Sequence, residues 1–411
     1  VSQTLRLFEG YGIELEYMIV DRQTLQVKPI CDQLIQALSG EIANEISLGR
    51  INVSNELVLH VVEFKGNGPQ RDLVRLASSF QSEIQRVNQV LGKWDACLLP
   101  TAMHPTMDPL KETKIWPHGQ NTIYETYNRI FDCKGHGWSN LQSVHINLPF
   151  ADDTEFAKLH AAIRIALPLL PGLAASSPLV EGKITGIQDN RLNFYAQNQK
   201  RIPSIIGSII PEAVFTQKDY EEKILRRIES DIKPHDTEGI LEGEWLNSRG
   251  AIARFDRNAI EIRVLDIQEC VAADFAVIGL VVSLVHSLVD ELWISHAEQK
   301  TAQEVELQKT FLGALREGGT FVIQDPFLLR CFGEKDPLPL QKLWRHIFTR
   351  LHAEEYQVKP FAAEADALLQ KGTLSQRILQ SLPAQPNHSD IHRIYRDLAA
   401  CLNEGRFHGQ G

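Results

Sequence analysis

A chain of 411 residues with 43% apolar and 23% charged residues has the balance of a soluble globular protein, long enough for one large domain or two ordinary ones. Its formal net charge of -10 argues against a nucleic-acid surface, whose footprint is basic. The six cysteines, at 31, 97, 133, 270, 331 and 401, include no C-x-x-C pair, so neither a zinc site nor a disulfide framework is signalled, and a reducing cytoplasm fits best. The first residues show no basic stretch followed by an apolar run, although the chain does not start with Met, and no signal peptide is expected.

In chain order, residues 11–20 and 25–30 read as strands flanking the turn DRQT, and NELVLHVVEF (55–64) reads as a third strand stopped by KGNGP. Leu73, Leu76, Ala77, Phe80, Ile84, Val87 and Leu91 recur at helical spacing and predict a helix from Gln70 to Lys93. A short strand near 96–101, a Pro- and Gly-punctuated segment (104–119), a helix at 120–133 and the alternating strand SVHINLPF (143–150) follow. Asp152 or Asp153 can cap a helix running to about Leu170, where Pro168 and Pro171 help to end it. AASSPLVEGKITGIQDNR (174–191) is long and irregular for a compact domain, as binding loops are. AIEIRVLDIQE (259–269) is the last strand, and 272–298, 300–316, 339–352, 361–370 and 389–404 read as helices. Phe275 to Val289 is the longest uncharged apolar run, too short to span a bilayer and interrupted by His286, hence a core helix. An α+β part to residue 298 is therefore followed by a helical tail, 299–411. Ile378, Leu379, Leu382, Ile394, Leu398 and Leu402 in that tail suit a subunit interface as well as a core, so a homo-oligomer stays open.

The chemistry is carried by charged residues on strands. Glu14 and Glu16 project to one side of YGIELEYMIV, and Ile13, Leu15 and Tyr17 to the other. The two carboxylates are either the outer face of a half-exposed strand or the holders of a divalent cation, since Mg2+ is usually bound by one or two acids plus substrate phosphates. Glu63, ending an apolar run, is an edge residue or a ligand. Glu56 falls on the opposite face of an unbroken strand and joins a common site only through a bulge or turn. Ser143, His145 and Asn147 share one face of SVHINL; a lone strand His is more often structural, and its polar neighbours shift that balance toward a ligand. Glu261 and Arg263 repeat the geometry, either as a surface ion pair worth about 0–1 kcal/mol or as metal ligand and phosphoryl-binding cation. Acids from several strands on one face, with a His and an Arg, describe a metal site for a nucleoside triphosphate. No G-x-x-x-x-G-K-[ST] or G-x-G-x-x-G occurs, so metal-bridged phosphates are expected rather than a Gly-rich cradle.

GIELE, VVEF, VHINL, the LAASSPLVEGKITG loop with its following Arg, and EIRVLD before an apolar helix occur in an order that resembles the glutamate-cysteine ligase type 2 family, over roughly residues 8–298. The resemblance implies a carboxylate-amine ligase of glutamine synthetase-like fold: an antiparallel sheet curved into a funnel, helices outside it, and ATP with two or three Mg2+ ions, or Mn2+, within. It implies Glu14, Glu16, Glu63, His145, Glu261 and also Glu56 as metal ligands, Arg263 on the transferring phosphate, and Arg191 on a substrate carboxylate or phosphate. Residues 1–298 would be the catalytic domain, with 299–411 a helical extension packed on it. The implied substrates are small molecules, most directly the γ-carboxylate of glutamate and the amine of cysteine, with no nucleic-acid or membrane partner. The acid would be activated as an acyl phosphate. Ser143 stands where the family's H-V-H-V-G form has its first His, which bears on the substrate more than on the chemistry. The alternatives are a metal-dependent hydrolase acting without nucleotide and a degenerate nucleotide-binding member.

Overall fold

The structure, a computed structural model, describes residues 4–241 and 243–409. Eight strands form one antiparallel sheet: β1 (Gly12–Asp21), β2 (Glu45–Ser47), β3 (Ile51–Asn55), β4 (Val61–Gly66), β5 (Ala96–Leu99), β6 (Ser143–Pro149), β7 (Ala251–Arg254) and β8 (Ala259–Asp266). Their order is β2-β3-β4-β1-β6-β8-β7, with β5 paired to the end of β1 that β6 leaves free. The terminal strands β2 and β7 do not pair with each other, so the sheet is open.

The period-two pattern of the strands decides which face is covered. Ile13, Leu15 and Tyr17 of β1, Val62 and Phe64 of β4, Val144 and Ile146 of β6, and Ile260 and Ile262 of β8 are buried in one core together with the helices behind the sheet. Those helices are α1 (Cys31–Ser39), α2 (Leu73–Leu91), α4 (Asp153–Ala166) and α6 (Val271–Val289), whereas α3 (Asn121–Phe131) and α5 (Asn190–Tyr195) border the other face, where Tyr127 and Arg191 line a cavity with Glu16. Asp72 caps α2 by accepting from the Arg75 N–H, and Asp152 caps α4 by accepting from Thr154 and Glu155, contacts worth about 1 kcal/mol each. The apolar run forms α6, apolar on all sides because it is packed between α2, α4 and the tail helices; among the described residues it is the one helix long and apolar enough to cross a membrane, and 89% of that stretch is buried.

The tail is helical: α7 (Glu304–Glu317), α8 (Leu340–Ala353), α9 (Ala362–Lys371), α10 (Leu374–Ser381) and α11 (His388–Glu404). The apolar faces of α10 and α11 meet the chain itself, with Ile378, Ile394 and Leu398 packed on Met18, Val20 and Leu99 in a second, smaller core. Gly172 sits where α8 comes closest: a Cβ there would lie 2.0 Å from Leu340 Cδ2 and 3.3 Å from the Gly318 carbonyl. Gly172→Ala must displace Leu340 and is expected to cost about 1–3 kcal/mol, read as a lower denaturation midpoint at unchanged slope.

The α+β architecture agrees with the sequence reading, with local corrections. Residues 55–64 are not one strand: β3 ends at Asn55, a turn occupies 56–60, and β4 starts at Val61, pairing back on β3 with Ser54 opposite Glu63. Residues 25–30 contribute one bridge, Val20 to Val27, instead of a second hairpin arm, because Pro29 lacks a donor and β4 takes the rest of that edge of β1, from Glu14 to Met18. The helix expected over 272–298 stops at Val289, while β2 and β7 had no counterpart in the sequence reading.

Candidate active site

The face of the sheet opposite α1, α2, α4 and α6 carries the charges. Register puts Ser54, Glu63 and Glu16 in one row across β3, β4 and β1, and Asn52, Lys65, Glu14 and His145 in the next across β3, β4, β1 and β6. Asn147 and Glu261 lie opposite each other on β6 and β8. Alternation alone thus gathers Glu14, Glu16, Glu63, His145 and Glu261. Glu56 joins them because it lies in the turn between β3 and β4, where strand parity no longer applies; it lines the same cavity as Glu16 and His145.

Hydrogen bonds hold these groups in place. His145 Nδ1 lies 2.9 Å from Glu14 Oε2 and 3.7 Å from Glu261 Oε1. Asn147 donates to Glu14 Oε1 at 3.2 Å, and Ser54 Oγ donates to Glu63 Oε2 at 2.7 Å. Ser143 gives Glu16 Oε2 both its backbone N–H and its hydroxyl, each at 2.8 Å, while its Oγ lies 2.9 Å from His145 Nε2. The serine at the departed motif position therefore ties an acid to the histidine.

Charge in the cluster is unbalanced. Burial and the neighbouring Glu63 and Glu16 push the Glu56 carboxyl well above the usual range, and burial and Glu14 push Glu63 up to about 7. Burial opposes ionisation of Glu14 and His145 too, but their mutual hydrogen bond and opposite charges prevail, so Glu14 is lowered and His145 raised. Lys65 touches Glu63 at 3.3 Å and Glu45 at 2.6 Å, and Arg263 Nε lies 3.1 Å from Glu261 Oε1. Six carboxyls, Glu45 included, thus face three cationic side chains, Lys65, His145 and Arg263.

That excess negative charge fits a divalent cation. Glu14, His145 and Glu261 each offer a ligand atom within 4.8 Å of the others, as do Glu16, Glu63 and His145. The donor set is rich in oxygen with one imidazole, suited to Mg2+ or Mn2+. Thermal melts with and without Mg2+ are expected to show stabilisation, about 2.7 kcal/mol at a hundred times Kd, absent in Glu16→Gln/Glu63→Gln. One other mixed group among the described residues, Asp397, Cys401 and His408, is bridged by Arg406, whose guanidinium donates to Asp397 at 2.7 Å and to Cys401 Sγ at 2.9 Å. That cation already balances the group.

Arg191, after the Gly- and Ser-containing loop, reaches the cluster's rim through a partner missing from the sequence reading. Its Nε donates to Asp266 Oδ1 at 2.5 Å, and the other oxygen of Asp266 accepts from the Ser176 N–H at 2.8 Å and the Ser177 hydroxyl at 3.0 Å. Asp266 is five residues beyond Glu261, which on an even strand would turn it to the opposite face. A register shift between Ile262 and Leu265 adds one residue and sets Asp266 opposite Ser143. The quoted EIRVLD contained this aspartate, and nothing in its spacing announced the bulge.

Two cavities flank the acids, lined on one side by Glu16 and His145 and on the other by Glu14 and Asn147. One, about 350 Å3, is lined by Glu16, Glu56, His145, Arg191 and Arg263 with an apolar wall; the other, about 800 Å3, is lined by Glu14, Lys65, Asn147 and Arg257 among others. Paired cavities across a charged ridge can hold two reactants with their reactive ends together.

The chain is 32% identical over 391 residues to a protein of uncharacterised function from Archaeoglobus fulgidus, covering 95% of this chain and 98% of that one. In fold it is similar to a crystal structure of glutamate-cysteine ligase from Francisella tularensis in complex with AMP (TM-score 0.58, 12% identity, 96% of this chain and 88% of the other). It is similar also to a bifunctional glutathione synthetase from Pasteurella multocida (TM-score 0.56, 12% identity), covering 96% of this chain and 52% of that longer one. The profile of glutamate-cysteine ligase family 2 matches residues 11–397, and the chain belongs to that family.

Proposed function

We propose that the protein is an ATP- and Mg2+-dependent carboxylate-amine ligase that joins the γ-carboxylate of glutamate to an amine, with 1–298 as its catalytic domain and 299–411 as a bracing extension. The carrying observation is the convergence of Glu14, Glu16, Glu56, Glu63, Glu261 and His145 on one sheet face between two cavities, with Arg263 and Arg191 at the edge of one. A carboxylate resists attack by an amine until its oxygen is made a leaving group, which phosphorylation by ATP achieves. Glu14, Glu16, Glu63, Glu261, His145 and Glu56 would hold the divalent ions, which when bound supply neutralising charge to the triphosphate.

The remaining work falls to the chain's own residues. Lys65 and Arg257 give the larger cavity the cations a polyphosphate needs, in keeping with the AMP carried by the Francisella structure. Arg263, fixed by Glu261, is placed for the charge that develops on the transferring phosphoryl group. Arg191, held by Asp266, offers its remaining N–H groups to the substrate's α-carboxylate.

The test is ADP release by the full chain with Mg2+ and ATP over a panel of amino acids and amines, with mass detection of the amide. Glutamate-dependent ADP matched by an amide product is expected. Turnover of a phosphodiester, ester or amide without nucleotide would instead establish the hydrolase.

A further inference from the structure

The smaller cavity has two unlike halves. One holds Glu16, Glu56, His145, Arg191 and Arg263; the other is walled by Val58, Val61, Tyr127, Trp138 and Leu141. The wall is prearranged: the Trp138 ring stacks on Phe131 with centroids 5.6 Å apart, and Tyr127 lies 5.8 Å from Trp138.

Among the described residues, Arg191 and Arg263 are the cationic side chains lining this cavity, apart from His145 within the acid cluster. Joining glutamate to an amine calls for both: one on the phosphoryl group and one on the glutamate α-carboxylate. An amino acid arriving as the nucleophile would bring a further carboxylate with no cation to meet it. Beyond the two arginines its surroundings would be the aromatic wall and the neutral groups of Tyr124, Tyr195, Asn198, Gln199 and Ser248, a costly place for an anion without a counter-charge. An ammonium on an apolar stem meets the reverse: tyrosine and tryptophan faces favour it, and the wall covers its side chain.

Resting on the ligase reading, we infer that the nucleophile is a primary amine without an α-carboxylate, carrying an aromatic or branched apolar group, of the arylalkylamine class. Its nitrogen attacks the acyl carbon, the C–N bond forms, and the C–O bond to phosphorus breaks with the electron pair leaving on phosphate. Of the two protons the ammonium loses, one ends on the released phosphate and one in solvent. The net change is acid, amine and ATP to amide, ADP and phosphate.

Matched pairs that differ only in the carboxylate decide it: phenethylamine against phenylalanine, tyramine against tyrosine, isoamylamine against leucine, cysteamine against cysteine. Each is given to the full chain with Mg2+, ATP and glutamate, and kcat/KM is read from ADP and amide together. The amine of each pair is expected to exceed its amino acid by at least about tenfold, with the aryl amines above cysteamine. Trp138→Ala is expected to raise KM for phenethylamine at least about tenfold while KM for glutamate holds within about twofold. Preference for cysteine, or for the amino acid of each pair, overturns the inference and leaves the ligase standing. ADP or amide absent with every partner overturns both. If Trp138→Ala does not fold, the pairwise ratios on the unaltered protein still decide.

Discussion

Glu261→Gln and Glu14→Gln are each expected to lower kcat/KM for the ATP-dependent reaction by about 10²–10³-fold or more, corresponding to about 2.7–4 kcal/mol of transition-state stabilisation. Both changes preserve side-chain shape and remove one negative charge. At Glu261 that charge holds Arg263 and lies 3.7 Å from His145; at Glu14 it is the 2.9 Å partner of His145 and accepts from Asn147. Removing it weakens a shared cation site and loosens a positive group that must stay aimed at the phosphoryl oxygens. Stability separates the two, because the Glu14 carboxylate is the partner that keeps His145 charged while Glu261 also repels its neighbours. The metal-free melting temperature is therefore expected to fall more for Glu14→Gln than for Glu261→Gln, while the rise on adding Mg2+ shrinks in both. Full turnover in both variants, with the Mg2+ response intact, would remove these residues from the chemistry.

Much of this site was legible from strand parity. Glu14 and Glu16 were placed together because they are two residues apart on one strand, and His145 because Ser143 and Asn147 flank it on the same face. Glu56, expected at the site only through a bulge or turn, and Asp266, which was missed, lie where parity fails. The turn at 56–60, ELVLH, has no Gly, Pro, Asn or Asp to announce it, so its apolar residues read as a continuation of the strand. Yet that turn lets Glu56 face the acids. The bulge in β8 likewise leaves no compositional mark and is visible only in the pairing with β6. Lys65 and Ser54 were silent for another reason: their importance comes from cross-strand neighbours, Glu45 and Glu63, that single-strand reading cannot pair. The same holds for α10 and α11, whose apolar faces were ambiguous until Met18, Val20 and Leu99 were found against them.

Asp266→Ala is expected to cost about 3–5 kcal/mol, more than loss of any exposed ion pair in the chain. Arg191 is 2% exposed and Asp266 fully buried, so truncating the acid strands a guanidinium where water cannot replace its partner. The backbone N–H of Ser176 and the hydroxyl of Ser177 lose their acceptor as well, which frees the loop at the point where it meets the sheet. Asp266→Asn keeps an oxygen for those donors and should be milder. Pairing Asp266→Ala with Arg191→Met separates structure from chemistry. With no charge left to strand, the double variant should recover most of the lost stability in a denaturant titration, since a buried ion pair replaced by apolar groups is often neutral or better. If Arg191 holds the substrate carboxylate, activity stays low in the refolded double variant, with KM for glutamate raised. Recovery of activity along with stability would make Arg191 a bracing residue, and the α-carboxylate would have to be met by another group of the smaller cavity.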